Sequence, residues 1–101
     1  MSPTHEFSAR LWPWKARHQV WTFVTLPPDL SDEIEDLVQE PRRGFGAVKV
    51  RVHLGGSTWE TSMFPSKEQG AHILPVKGAV RKAEGLDIED SVTVRIELID
   101  P

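Results

Sequence analysis

Cysteine is absent from the 101 residues, which excludes disulfides and any cysteine-ligated zinc or iron–sulfur centre. Packing alone must hold the fold, and the absence favours a reducing compartment. Tyrosine is absent as well. Long apolar runs are missing: no stretch approaches the roughly 20 residues that span a bilayer. The opening Met1-Ser2-Pro3-Thr4-His5-Glu6 lacks a basic segment followed by an apolar one, so no secretory leader is visible. A cytoplasmic protein without a membrane partner is expected. Positive charge is also in short supply. Twelve Lys and Arg against 15 Asp and Glu leave a net charge of −3 and an isoelectric point near 5.8. That balance argues against a nucleic-acid binder working by bulk charge and leaves only a local basic patch.

What is present reads as one globular domain spanning residues 1–101. The 39% hydrophobic and 27% charged residues are ordinary for a packed domain, which at this size buries roughly 60–70% of its unfolded surface. Phe7, Ala9 and Leu11 alternate with Ser8 and Arg10, the period of a half-buried strand. Pro13 makes a poor continuation of that strand because it lacks the ladder donor, and Lys15 to His18 reads as a polar connection. Gln19 to Leu26 is rich in β-branched and aromatic residues and predicts a second strand, stopped by Pro27-Pro28. A helix is predicted over Pro28 to Val38, with Leu30, Ile34, Leu37 and Val38 on one face and acidic residues near its start.

Past a loop from Gln39 to Gly46, Val48 to Leu54 alternates aliphatic with basic residues. Gly55-Gly56 is a hairpin signal, since both residues accept positive φ. The return strand Ser57 to Phe64 ends at Pro65, and Ala71 to Leu74 predicts a short strand before Pro75. Val76 to Glu84 predicts a short helix with Gly85 as its terminator. Val92 to Leu98 predicts the last strand.

The two halves resemble each other. Val48 to Leu54 and Val92 to Leu98 are identical at Val48/Val92, Val50/Val94, Arg51/Arg95 and Leu54/Leu98. Upstream of each lies a strand ending in Leu-Pro (Leu26-Pro27, Leu74-Pro75), then a helix. Further upstream, Leu11-Trp12-Pro13 matches Met63-Phe64-Pro65. Self-similarity of this kind bears on the fold first. It predicts repeat units at about 6–54 and 57–99, interleaved about a pseudo-twofold axis. The expected result is a mainly β closed six-stranded barrel with two short helices capping its ends, free of open edges.

The segment Leu74 to Leu86 followed by Asp90 to Val94 resembles the swapped-hairpin unit of the AbrB and MazE transcription factors. Together with Trp21-Thr22-Phe23-Val24-Thr25-Leu26-Pro27 and Trp59 to Met63, residues 6 to 100 more closely resemble the bacterial family known as domain of unknown function 1905. That resemblance implies a double-split β-barrel and implies no activity. One departure stands out: the Gly-Asp turn before the last strand is Glu89-Asp90 here, which puts a glycine-only geometry at position 89 in question. In AbrB-type proteins two chains share one barrel. Two units in a single chain predict a monomer or weak dimer.

No chemistry of catalysis stands out. His5, His18, His53 and His72 show no close ligand spacing, the serines offer no nucleophile elbow, and no carboxylate pair suggests acid–base work. No metal, cofactor or catalytic residue is expected. Arg42 and Arg43 in Arg42-Arg43-Gly44-Phe45-Gly46 are candidate anion contacts through arginine forks. Lys49, Arg51 and His53 share one strand face, with Arg95 at the place matching Arg51, and form a candidate cationic patch flanked by Trp21 or Trp59. Glu60 and Glu97 on neighbouring strands are expected to neutralise it. Lys77 and Arg81, which match the family motif, are candidate contacts of a barrel-end pocket. Trp12 and Trp14, at i and i+2 around Pro13, share a face and offer an aromatic contact surface. Three functions follow: a non-enzymatic binding or interaction module first, an AbrB-like DNA-binding regulator second, and a small-molecule or anion binder at a barrel end third.

Overall fold

The computed structural model describes residues 4–16, 18–37 and 46–99. The order of elements is β1 (Thr4–Arg10), β2 (Trp12–Ala16), β3 (Gln19–Thr25), α1 (Pro28–Leu37), β4 (Val48–Leu54), β5 (Ser57–Ser66), β6 (Ala71–Pro75), α2 (Gly78–Glu84) and β7 (Ser91–Leu98). All strands join one curled antiparallel sheet in the order β1-β7-β4-β5-β6-β3-β2. The protein is therefore mainly β with two helices and barrel-like in form. Among the described residues no helix is long and apolar enough to cross a membrane.

Seven strands form where six were expected, because the chain around Pro13 is a strand rather than a connection. Pro13 lies opposite Thr22 in β2. It is tolerated there because β2 ends the sheet order, so its outer side carries no ladder that needs an N–H. Pro13 and Lys15 also blunt that edge against further pairing. Pro65, expected to end β5, instead marks where that strand changes partner: Ser57 to Met63 pair with β4, and Phe64 to Ser66 pair with β6.

The two ends of the sheet order, β1 and β2, are consecutive in sequence and separated only by Leu11. Leu11 is fully buried, and its backbone is satisfied by the turn before β7. Its N–H donates to the Asp90 carbonyl at 2.9 Å, and its carbonyl accepts from the Glu89 N–H at 2.9 Å. Glu89 itself takes φ +82°. The left-handed geometry that glycine usually supplies is thus retained by a residue with a Cβ, at a cost of about 1–2 kcal/mol. The Asp90 carboxylate helps hold it by accepting the Asp87 N–H at 2.8 Å.

The alternation read from the sequence sets the core. Val48, Val50, Val52 and Leu54 of β4 and Val92, Val94, Ile96 and Leu98 of β7 are buried, each contributing about 1.5–3 kcal/mol by removal from water. Val52 faces Ile96 across these two strands. Phe7, Leu11, Val24, Leu26, Met63 and Leu74 complete the cluster, with Ile34 from α1 and Val80 from α2. Helix α2 ends as expected at Gly85, φ +65°. The Leu86 N–H reaches the Arg81 carbonyl at 2.8 Å, the wider bond of a Schellman motif. Glu84 in its last turn accepts from the Ser57 hydroxyl at 2.6 Å and the Gly56 N–H at 3.2 Å, tying the helix to the β4–β5 hairpin. A Cβ on Gly55, φ +58°, would collide with that carboxylate.

Candidate functional site

The outer face of β2, β3 and β6 carries aromatic rings. In antiparallel pairs, residues directly opposite share a face. Trp12 lies opposite Phe23 and Trp14 opposite Trp21, while Thr25 and Phe64 both lie opposite Ile73. Trp12, Trp14, Trp21, Phe23, Ile73 and Phe64 are therefore on one side of the sheet, with buried Val24 and Leu74 on the other. Trp14 is 55%, Trp21 47% and Phe64 38% exposed. Exposed large apolar side chains thus gather on one face of the sheet.

Within that face lies a cleft of about 240 Å³ lined by Trp12, Trp14, Phe23 and Ile73 and, on its polar side, by Ser66, Glu68 and Gln69. The Trp12 and Phe23 rings stack with centroids 5.1 Å apart and planes at 28°. Trp14 sits 6.4 Å from Phe23, tilted by 56°. A chain of hydrogen bonds fixes this wall. The Trp12 indole Nε1–H donates to Thr25 Oγ1 at 2.8 Å, and the Thr25 hydroxyl donates to Gln69 Oε1 at 3.0 Å. The Gln69 N–H in turn donates to Ser66 Oγ at 3.2 Å. The turn between β5 and β6 is thereby locked to β3, helped by Gly70 at φ +71°.

The basic row lies elsewhere. Lys49 and Arg51 are exposed on β4, and His53 is half-buried. Arg51 meets Glu60 at 3.0 Å and Glu97 at 3.8 Å. His53 Nε2 lies 2.7 Å from Glu97 Oε1, and its hydrogen bond, with burial opposing, holds the Glu97 carboxyl below the usual carboxylate range. Arg95 lies opposite His53. Trp59 stands opposite Val52, on the inner side of the sheet, so it does not flank these cations. Trp21 belongs to the aromatic face described above. Arg42 and Arg43 lie outside the described residues.

Lys77 is exposed just before α2, and Arg81 is half-buried on it. Neither lines the aromatic cleft. Among the described residues no three His, Asp or Glu side chains gather as metal ligands would.

A second polar constellation is internal. Ser31 of α1 is buried, and its Oγ lies 2.6 Å from His72 Nδ1 while accepting the His72 backbone N–H at 3.0 Å. His72 Nε2 comes within 3.0 Å of Glu35 Oε1 but is not aligned for a hydrogen bond. Burial pushes the His72 pKa down, with the Glu35 charge acting in the opposite direction. Burial thus favours the neutral imidazole, whose Nδ1 shares a hydrogen bond with the serine hydroxyl. Ser31 is enclosed, so this is an anchor between α1 and β6 with no room for substrate.

Sequence reasoning singled out Trp12 and Trp14 together, set Trp21 beside the basic row instead, and missed Phe23, Ser66, Glu68, Gln69 and Ile73. The usable signal was hidden by the hairpin between β2 and β3. The sequence between Ala16 and Gln19 carries no Gly, Asn or Asp, so nothing announces the pairing that sets Phe23 against the two tryptophans.

No curated protein matches the chain. A family model does match, over residues 7–96, and that span takes in the aromatic face and the basic row alike. By this measure the chain belongs to the family described as a domain of unknown function, DUF1905.

Proposed function

We infer that the protein is a non-enzymatic binding module that recognises its partner through the outer aromatic face of β2, β3 and β6. The observation that carries this reading is the exposure of Trp14, Trp21 and Phe64 on one sheet face around a preformed cleft. Exposed aromatic area of this kind is favourable to remove from water. The carboxylates already engaging Arg51 and His53, and the net charge of −3, weigh against phosphate recognition by the basic row.

The same reading takes the chain as one domain of two units, about 6–54 and 57–99, arranged as a double-split barrel of the AbrB type. Strand pairing supports it. Val52 faces Ile96, and Thr25 faces Ile73. Each pair consists of positions matched between the two halves, as a local twofold axis requires. In the same way β1 pairs with β7 as β5 pairs with β4. A barrel completed within one chain makes a monomer or weak dimer.

The test is amide chemical-shift mapping of the full chain against a set of small organic fragments and, separately, a random DNA duplex. Fragment shifts are expected to cluster on β2, β3 and β6. Clustering around Lys77 and Arg81, or saturable and salt-sensitive DNA shifts at Lys49, Arg51 and Arg95, would overturn the reading.

A further inference from the structure

The cleft carries chemical information beyond its apolar character. Three rings line it, from Trp12, Trp14 and Phe23, and the ring faces not taken up by the Trp12–Phe23 stack attract cations through the aromatic quadrupole. Glu68 is the charged group of the lining, and it makes no ion pair among the described residues. No Lys, Arg or His lines the space. The Trp12 indole N–H is already given to Thr25, and the donors that remain in the lining, on Trp14, Ser66 and Gln69, are neutral. The electrostatic preference of the site is therefore for positive charge.

Acceptors decide which cation. A primary ammonium brings three N–H donors, and buried donors without partners are costly. Glu68, the Ser66 hydroxyl and the Gln69 amide oxygen, which already accepts from Thr25, are few partners for three donors, and the rest of the wall is ring and Ile73. A fully alkylated nitrogen carries its charge without donors and presents methyl groups to the rings. The volume, about 240 Å³, falls below the roughly 300–1,000 Å³ of drug-sized pockets. It takes a headgroup-sized molecule rather than a nucleotide.

From these features, and resting on the binding-module reading above, we propose that the cleft formed by Trp12, Trp14, Phe23 and Glu68 binds a free small organic cation of the quaternary ammonium class. The hydrogen-bonded chain from Trp12 to Ser66 holds the rings ready before the ligand arrives, which lowers the ordering cost of binding.

The experiment titrates the full chain with tetramethylammonium, choline, methylammonium and 3,3-dimethylbutan-1-ol, the uncharged isostere of choline. Readouts are the indole N–H resonances and tryptophan fluorescence. Choline is expected to bind at least about 5-fold more tightly than its neutral isostere, and methylammonium more weakly than tetramethylammonium. Glu68→Gln should weaken choline about 2- to 5-fold and leave the isostere unchanged. Trp14→Ala should abolish measurable binding of both. Trp14 is half-exposed on a terminal strand, so that variant keeps its fold, checked by circular dichroism.

Equal affinity for choline and the isostere would overturn the cation assignment while the aromatic-face reading stands. So would binding to phosphatidylcholine vesicles without binding of free choline. If no probe shifts the Trp12 and Trp14 indoles but the fragment set still maps to this face, the ligand class falls alone. If the fragments map elsewhere, both fall together.

Discussion

Replacing Ser31 with alanine deletes one oxygen atom that serves two polar groups of a buried histidine. The Ser31 hydroxyl accepts the His72 backbone N–H at 3.0 Å and lies 2.6 Å from Nδ1, and His72 is 1% exposed. The space vacated is smaller than the roughly 30 Å³ share of a water molecule, so solvent does not replace the lost oxygen. Each buried polar group left without a partner costs about 1–3 kcal/mol. Two such groups on one residue do not add in full, which gives an expected loss of about 2–4 kcal/mol. That is a large part of the roughly 5–15 kcal/mol typical of a domain. The assay is urea unfolding at pH 7.5 followed by far-ultraviolet circular dichroism, comparing midpoints at an unchanged m-value. Ser8→Ala serves as control: its hydroxyl meets Thr93 at 2.9 Å on the exposed face, and its loss should stay within about 0.5 kcal/mol. A Ser31→Ala loss below about 1 kcal/mol would refute the claim that this hydroxyl satisfies His72.

Stability should fall as pH drops below about 6.5. His72 is depressed by burial, so the unfolded chain takes up a proton at a pH where the folded state does not, and unfolding is favoured. Urea midpoints from pH 7.5 to 5 measure this, and a folded His72 imidazole titrating by NMR at or above about 6.5 would contradict it. Glu97, held low by His53, contributes stability that is present above about 4.3 and is lost as pH falls further through its folded pKa. Glu89→Gly should stabilise by up to about 1.6 kcal/mol. Relief of the left-handed φ is worth about 1–2 kcal/mol, and the added freedom of the unfolded chain returns about 0.4–1 kcal/mol. Glu89→Ala keeps the strained φ and should bring no gain, so a destabilised glycine variant in thermal unfolding would count against the strain.

Alternation made β4 and β7 legible, because Val and Leu on one side and charges on the other leave only one register that buries the apolar set. Both helices were equally readable, one from its apolar stripe and one from Gly85. What stayed hidden was pairing between elements. Pro13 argues against a strand unless its position at the end of the sheet is known, and that position is a property of the whole fold. The match of Leu11-Trp12-Pro13 with Met63-Phe64-Pro65 shows the same limit. In the ladders it is Phe7 that faces Val94 and Thr61 that faces Val50, so the partners are offset by two residues from that alignment. The tryptophans of the cleft were visible as a cluster, but the carboxylate opposite them comes from a turn more than fifty positions away in sequence. No local pattern joins the two.

The order β1-β7-β4 has a consequence for synthesis on the ribosome. The first of the described strands is completed by the last of them, and β4, between the two in sequence, waits for the same one. Until β7 has left the exit tunnel, two ladders stand bare. At about 5–20 residues per second, the interval between the appearance of β1 and of β7 lasts several seconds, far longer than the microseconds in which a hairpin such as β4–β5 closes. The nascent chain therefore carries one unpaired edge, on β1, through the whole of this interval and a second, on β4, through about its latter half, and that latter half is when association with another chain is most favourable.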